Sequence, residues 1–186
     1  QPDTYNKTNI QTALYEFQAK RQNDALFKDC NLVQLVRGKT SGSLGGIAFV
    51  SGMCSNYRFS VAEPTFNYAA YPNYSWSVTV VGHELGHNLG SPHTHNCNWQ
   101  KPDGTIGAID ACYKTEGGCT APIPIKGTLL SYCHLLQSVG ISFAEGLGKL
   151  PGDLIRFKVN IAPCLIEDNT STCSDGIKNG TETGID

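Results

Sequence analysis

Residues 83–93 read HELGHNLGSPH, which fits the pattern H-E-x-x-H-x-x-G-x-x-H without a gap. Histidines four apart lie on one face of an α-helix, so His83 and His87 can present their imidazoles to a single ion. The helix must then stop, so that the chain can turn and bring back a third ligand. Gly90 tolerates the left-handed backbone that such a turn needs. His93 completes a three-nitrogen set with a fourth position open to water, the arrangement of a catalytic rather than a structural zinc. Glu84 is placed to contact that water and not the metal. The expected chemistry is peptide hydrolysis: zinc lowers the pKa of its bound water to about 7, and Glu84 takes the proton and returns it to the departing amine. The other readings are a solvated polar helix face or a structural metal site. A structural zinc would recruit cysteines and close its fourth position.

The elements that must position these residues can be read from the pattern around them. Residues 76–89 form the strongest helix, with Val78, Val81, Leu85 and Leu89 sharing one face and Gly90 as the stop. Residues 9–23 read as another helix, from Ile10, Ala13, Leu14 and Phe17. Strands are expected at 31–37, at 45–51 (GGIAFVS, entered through two glycines) and at 57–62, the last ended by Pro64. Between 91 and 127 periodicity fades and Gly, Pro, Cys and Asn dominate, which predicts irregular loops pinned by disulfides. A short helix is expected at 153–159, with Pro151 and Gly152 just before its first turn. Residues 167–186 are polar and read as a linker or the start of another module. The chain therefore divides into a catalytic domain over 1–165 and a linker or small Cys-rich module over 166–186.

A chain of 186 residues is long enough to bury a core of its own. Its net charge of −2, without a basic run, gives no electrostatic support for a nucleic-acid or anionic-membrane partner. No apolar stretch approaches the length of a membrane span. Gly38-Lys39-Thr40 lacks the upstream glycine of a phosphate-binding loop. Eight cysteines, none in a C-x-x-C pair, read as disulfides made in an oxidising compartment. The expected localisation is secreted or extracellular, with any export signal removed or outside this chain.

The motif resembles the metzincin zinc endopeptidases, and within them the bacterial secreted proteases of the reprolysin (adamalysin)-like kind. The stretches GGIAFVSGMC, VGHELGHNLGSPHTHNCNW and GTLLSYCHL carry the resemblance, which covers roughly residues 8–164. It implies an α/β (α+β) fold: a mixed twisted sheet with an antiparallel edge strand, an active-site helix, and an irregular disulfide-pinned C-terminal subdomain. It also implies that Gly45, Gly46, Ile47, Ala48 and Phe49 form the edge strand against which an extended protein or peptide substrate pairs. Zinc is the implied cofactor, and a monomer the implied state. Tyr132 stands where a tyrosine of astacins and serralysins reaches the zinc or the oxyanion, a task suited to a phenol. His95 and His134 are expected as loop or outer residues of the site. Among the cysteines the resemblance implies a Cys54–Cys164 bond. Proximity to the loops of the site adds Cys97–Cys133 and Cys112–Cys119, with Cys30 and Cys173 left unpaired.

Two departures stand out. The methionine that names the metzincins corresponds to Leu130 in GTLLSYCHL, a swap between apolar side chains of near-equal volume. The strand–helix–strand that opens such domains is not found before residue 9, so the chain reads as a fragment or a processed piece. The alternatives are a catalytically impaired metzincin-fold binding module and, because Thr94 follows His93, a pappalysin-like metzincin.

Overall fold

The computed structural model describes residues 4–39, 44–65 and 69–165. Both Cys173 and the expected linker or module at 166–186 lie outside them. The order of elements is α1 (Ile10–Arg21), β1 (Val33–Val36), β2 (Gly46–Ala48), β3 (Phe59–Ala62), α2 (Trp76–Asn88) and α3 (Lys149–Asn160), with two short 3-10 turns before α3. The strands form one mixed sheet in the order β1-β3-β2. β1 runs parallel to β3, with Val33 opposite Phe59, and β2 runs antiparallel to β3, with Ile47 opposite Val61. The edge strand expected from GGIAFV is thus at an edge and antiparallel, but only Gly46–Ala48 is regular strand.

α1 starts where Asn9 accepts a hydrogen bond from Thr12 N at 2.9 Å, a helix N-cap. It buries Ile10, Ala13, Leu14 and Phe17, the residues its periodicity singles out. Ile10, Leu14 and Phe17 meet Val33, Phe59 and Val61 in the main core, with Ile47 and Phe49 packed at its side. All four residues of the central strand β3 are buried.

α2 departs from the expected pattern. Its inner face carries Thr79, Val80, His83, Glu84, His87 and Asn88, whereas Val78 of the expected apolar face is exposed. Glu84 and Asn88 meet the sheet side while His83 and His87 meet the chain after the helix, so polar residues occupy the face that a hydrophobic stripe normally takes. Its end is built as the sequence predicts. Gly90 has φ +113°, Ser91 N donates to Gly86 O at 3.0 Å and Gly90 N to His87 O at 2.9 Å, the paired bonds of a Schellman stop. α3 begins at Lys149 and so includes Pro151 and Gly152, contrary to the expected start at 153. Proline is tolerated there because the first helical turn has no use for its missing N–H.

After α2 the chain is irregular and crosslinked. Cys54 is bonded to Cys164, Cys97 to Cys119 and Cys112 to Cys133. The expected Cys97–Cys133 and Cys112–Cys119 pairs are thereby corrected. Cys133 lies in a second small core with Cys112, Val139 and Ile141, while the loop leaving His93 folds Cys119 back onto Cys97. Cys30 is free and exposed.

Candidate active site

Three nitrogens converge at the end of α2. His83, His87 and His93 each offer a ligand atom, and these lie within 4.8 Å of one another. The other nitrogen of each ring is already engaged. His83 Nδ1 donates to the Leu129 carbonyl at 2.6 Å, and His87 Nδ1 donates to the Ser91 carbonyl at 2.7 Å. His93 Nδ1 pairs with the Glu116 carboxylate at 2.7 Å. Carbonyl oxygens only accept, so the protons of His83 and His87 sit on Nδ1 and their Nε2 lone pairs point inward, 3.0 Å apart. Burial, reinforced by neighbouring histidines, holds His83 well below the ordinary imidazole range and His87 down to about 4. Near neutral pH these rings therefore take up no second proton, and two facing lone pairs so close are satisfied by a metal cation. Three imidazole nitrogens suit zinc and leave a position open; the residues present fit the ion.

Glu84 is buried beside this group, and burial pushes its carboxyl up to about 8; a cation held by the three nitrogens would draw it back toward the charged form that a general base needs. The glycines of the edge strand explain how it is seated. A Cβ on Gly46 would stand 2.2 Å from Glu84 Oε1, and one on Gly45 would stand 2.3 Å from the Trp76 ring. Gly45 also has φ +97°, a backbone that favours glycine.

Two cavities flank Glu84. One of about 510 Å³ runs along Gly46, Ile47, Ala48 and Val50 to His87, His93 and Glu116. The other, about 210 Å³, is lined by Trp76, Val80, His83, Tyr113, Tyr132 and His134 among others. Of the expected strand residues, Gly46, Ile47 and Ala48 line the longer cleft. Gly45 instead packs under Trp76. Phe49 turns its ring to Tyr15 and Tyr57, at centroid distances of 5.7 and 5.1 Å, and its carbonyl accepts from Asn88 Nδ2 at 2.9 Å. Neither Gly45 nor Phe49 is therefore a lining residue of that cleft.

Tyr132 lies between the cavities, its ring 4.7 Å from His93 and 5.7 Å from His83. Burial, with Glu84 and Glu116 nearby, pushes its phenol up to about 12, so its hydroxyl keeps its proton. Leu130 is fully buried and presses on α2 where Gly86 leaves room: a Cβ there would be 2.9 Å from Leu130 Cδ2. His95 stacks on His93 at 4.7 Å, and His134 packs edge-on against Trp76 at 5.4 Å. Glu116 is the site residue that the sequence pattern does not reveal. It lies 23 positions beyond His93, in a Gly/Cys-rich loop without periodicity.

The model of metallo-peptidase family M12 of the reprolysin kind (Reprolysin_5) matches residues 1–125. No curated protein sequence matches the chain. The match takes in the histidine motif and Glu116, and stops before the turn with Leu130 and Tyr132. With well over half of the sequence matched, the chain belongs to metallo-peptidase family M12.

Proposed function

We propose that this protein is a secreted zinc endopeptidase of the reprolysin-like group, with His83, His87 and His93 as the metal ligands and Glu84 as the general base. The convergence of three histidine nitrogens beside a buried glutamate is the observation that carries the reading. Membership of a peptidase family supports it. When bound, zinc supplies Lewis acidity, which makes water a nucleophile near neutral pH and polarises the carbonyl under attack. Glu84 takes the proton from the attacking water and delivers it to the departing amine. The Tyr132 hydroxyl donates to the oxygen on which charge develops. The outer edge of β2, from Gly46 to Ala48, offers backbone groups to an extended peptide, and the smaller cavity receives a side chain.

Three disulfides among the described residues support an oxidising compartment, and no helix among them is long and apolar enough to cross a membrane. The test separates metal from chemistry. Metal analysis of the wild-type chain should find one zinc, and His87→Ala should lose it. Glu84→Gln should keep zinc while cleavage of a peptide library disappears. Full zinc retention by His87→Ala, or wild-type turnover by Glu84→Gln, overturns the assignment.

A further inference from the structure

The three histidines are not held alike. His83 and His87 stand on a helix, and neutral carbonyls fix their rings. His93 lies beyond the helix in irregular chain, with its side chain 21% exposed, so no helical backbone sets its position. Its ring instead meets a carboxylate, and the surroundings of that carboxylate are elaborate. Glu116 Oε1 takes His93 Nδ1 at 2.7 Å while Oε2 accepts from Asn96 Nδ2 at 2.9 Å. The backbone on either side is fastened as well: Glu116 N donates to His95 O, and Cys97 N to Glu116 O, both at 2.9 Å. The Cys97–Cys119 bond closes the loop three residues further on. Gly117, between them, has φ +115° and leaves no room for a Cβ, which would stand 2.9 Å from Cys97 Cβ. Every polar bond that locates Glu116 thus leads to the segment 93–97 that carries the third histidine.

We propose that Glu116 is the positioning residue of His93. Its carboxylate holds the Nδ1 proton, fixes the tautomer and the ring plane, and so aims Nε2 at the other two nitrogens. The Cys97–Cys119 loop is the brace that keeps the carboxylate in place. A charged acceptor makes the stronger hydrogen bond, which suits the ligand that lacks a helix to hold it. Partners of this type orient a metal-binding imidazole and raise its basicity, and their loss commonly weakens metal binding by about 10- to 100-fold.

The inference rests on the zinc reading, and the experiment keeps the two apart. Metal-free protein is titrated with zinc against a chromophoric chelator, and metal-free thermal unfolding serves as the control for the fold. Glu116→Ala should bind zinc about 10- to 100-fold more weakly without a change in the unfolding midpoint. Glu116→Gln keeps an acceptor oxygen and should recover most of that loss. Glu116→Met, of similar length and without a comparable acceptor, makes the same comparison if the alanine variant does not fold. In a His93→Ala background, Glu116→Ala should change the residual affinity no further. Wild-type affinity in both acceptor-free variants, or an additional loss in the His93→Ala background, overturns the positioning role and leaves the zinc site standing. Failure of the wild-type chain to bind zinc at all overturns the zinc reading and, with it, this one.

Discussion

At the scale of single residues, Tyr132 is the sharpest case. A tyrosine two positions after Leu130 is compatible with packing or with chemistry, and the sequence leaves both open. The structure places its ring among His83, His93 and His95, in the lining of both cavities. Its raised pKa keeps the phenol a donor. Tyr132→Phe preserves the ring and removes that donor. The kcat of the variant should fall by about 10- to 1,000-fold, at or below the cost of losing an oxyanion-hole donor, with the thermal midpoint unchanged. Peptide-cleavage kinetics that match the wild type would reduce Tyr132 to a packing residue.

At the scale of elements, the informative contacts run between α2 and what lies on either side of it. β2 approaches so closely that Gly46 has no space for a side chain beside Glu84. Gly46→Ala should displace the carboxylate rather than unfold the strand, because the obstructing atoms end a flexible side chain. Turnover should drop by about 100-fold, the scale of a small misplacement of a reacting group, while zinc content stays the same. Unaltered turnover would show that Glu84 has another productive seat. On the far side Leu130 presses on Gly86, at the position where the metzincin resemblance leads one to expect methionine. Leu130→Met conserves volume and polarity. Chemical denaturation should show a change of roughly 1 kcal/mol or less, and a larger loss would mean that the turn is tuned to leucine.

At the scale of the whole molecule, disulfides take the place of strands and α-helices between α2 and α3. Cys54–Cys164 ties the loop after β2 to the chain just beyond α3 across 110 residues. That loop also caps α2, through Ser51 N to His87 O at 2.9 Å and Met53 N to Asn88 O at 3.1 Å, so the crosslink braces the helix that carries the histidines. The paired Cys54→Ser and Cys164→Ser variant should lose about 2–5 kcal/mol, as removal of a native disulfide does. Denaturant unfolding reads the loss. Zinc affinity should fall with stability, because the end of α2 is part of the site. Full stability in the variant would show that the sheet and helices hold the site without the crosslink.

The sequence by itself determined the features that local rules govern. The spacing of His83, His87 and Gly90 states a helix with two ligands on one face and a glycine stop, since helical periodicity and the left-handed φ of glycine are properties of neighbouring residues. α1 and the three strands were legible for the same reason, whereas the antiparallel edge was expected only from the family resemblance. Other features depended on how the chain returns on itself, and those only the tertiary structure decided. The cysteine spacing allowed several pairings, and Cys97–Cys119 with Cys112–Cys133 won because the loop after His93 doubles back before the chain reaches the second core. Phe49 read as cleft and belongs with the core, because only Gly46–Ala48 of that stretch is strand. Glu116 carried no signal of its own. A carboxylate in an aperiodic loop acquires its role only when a neighbouring segment pairs with it, and that pairing is a long-range contact no local pattern encodes.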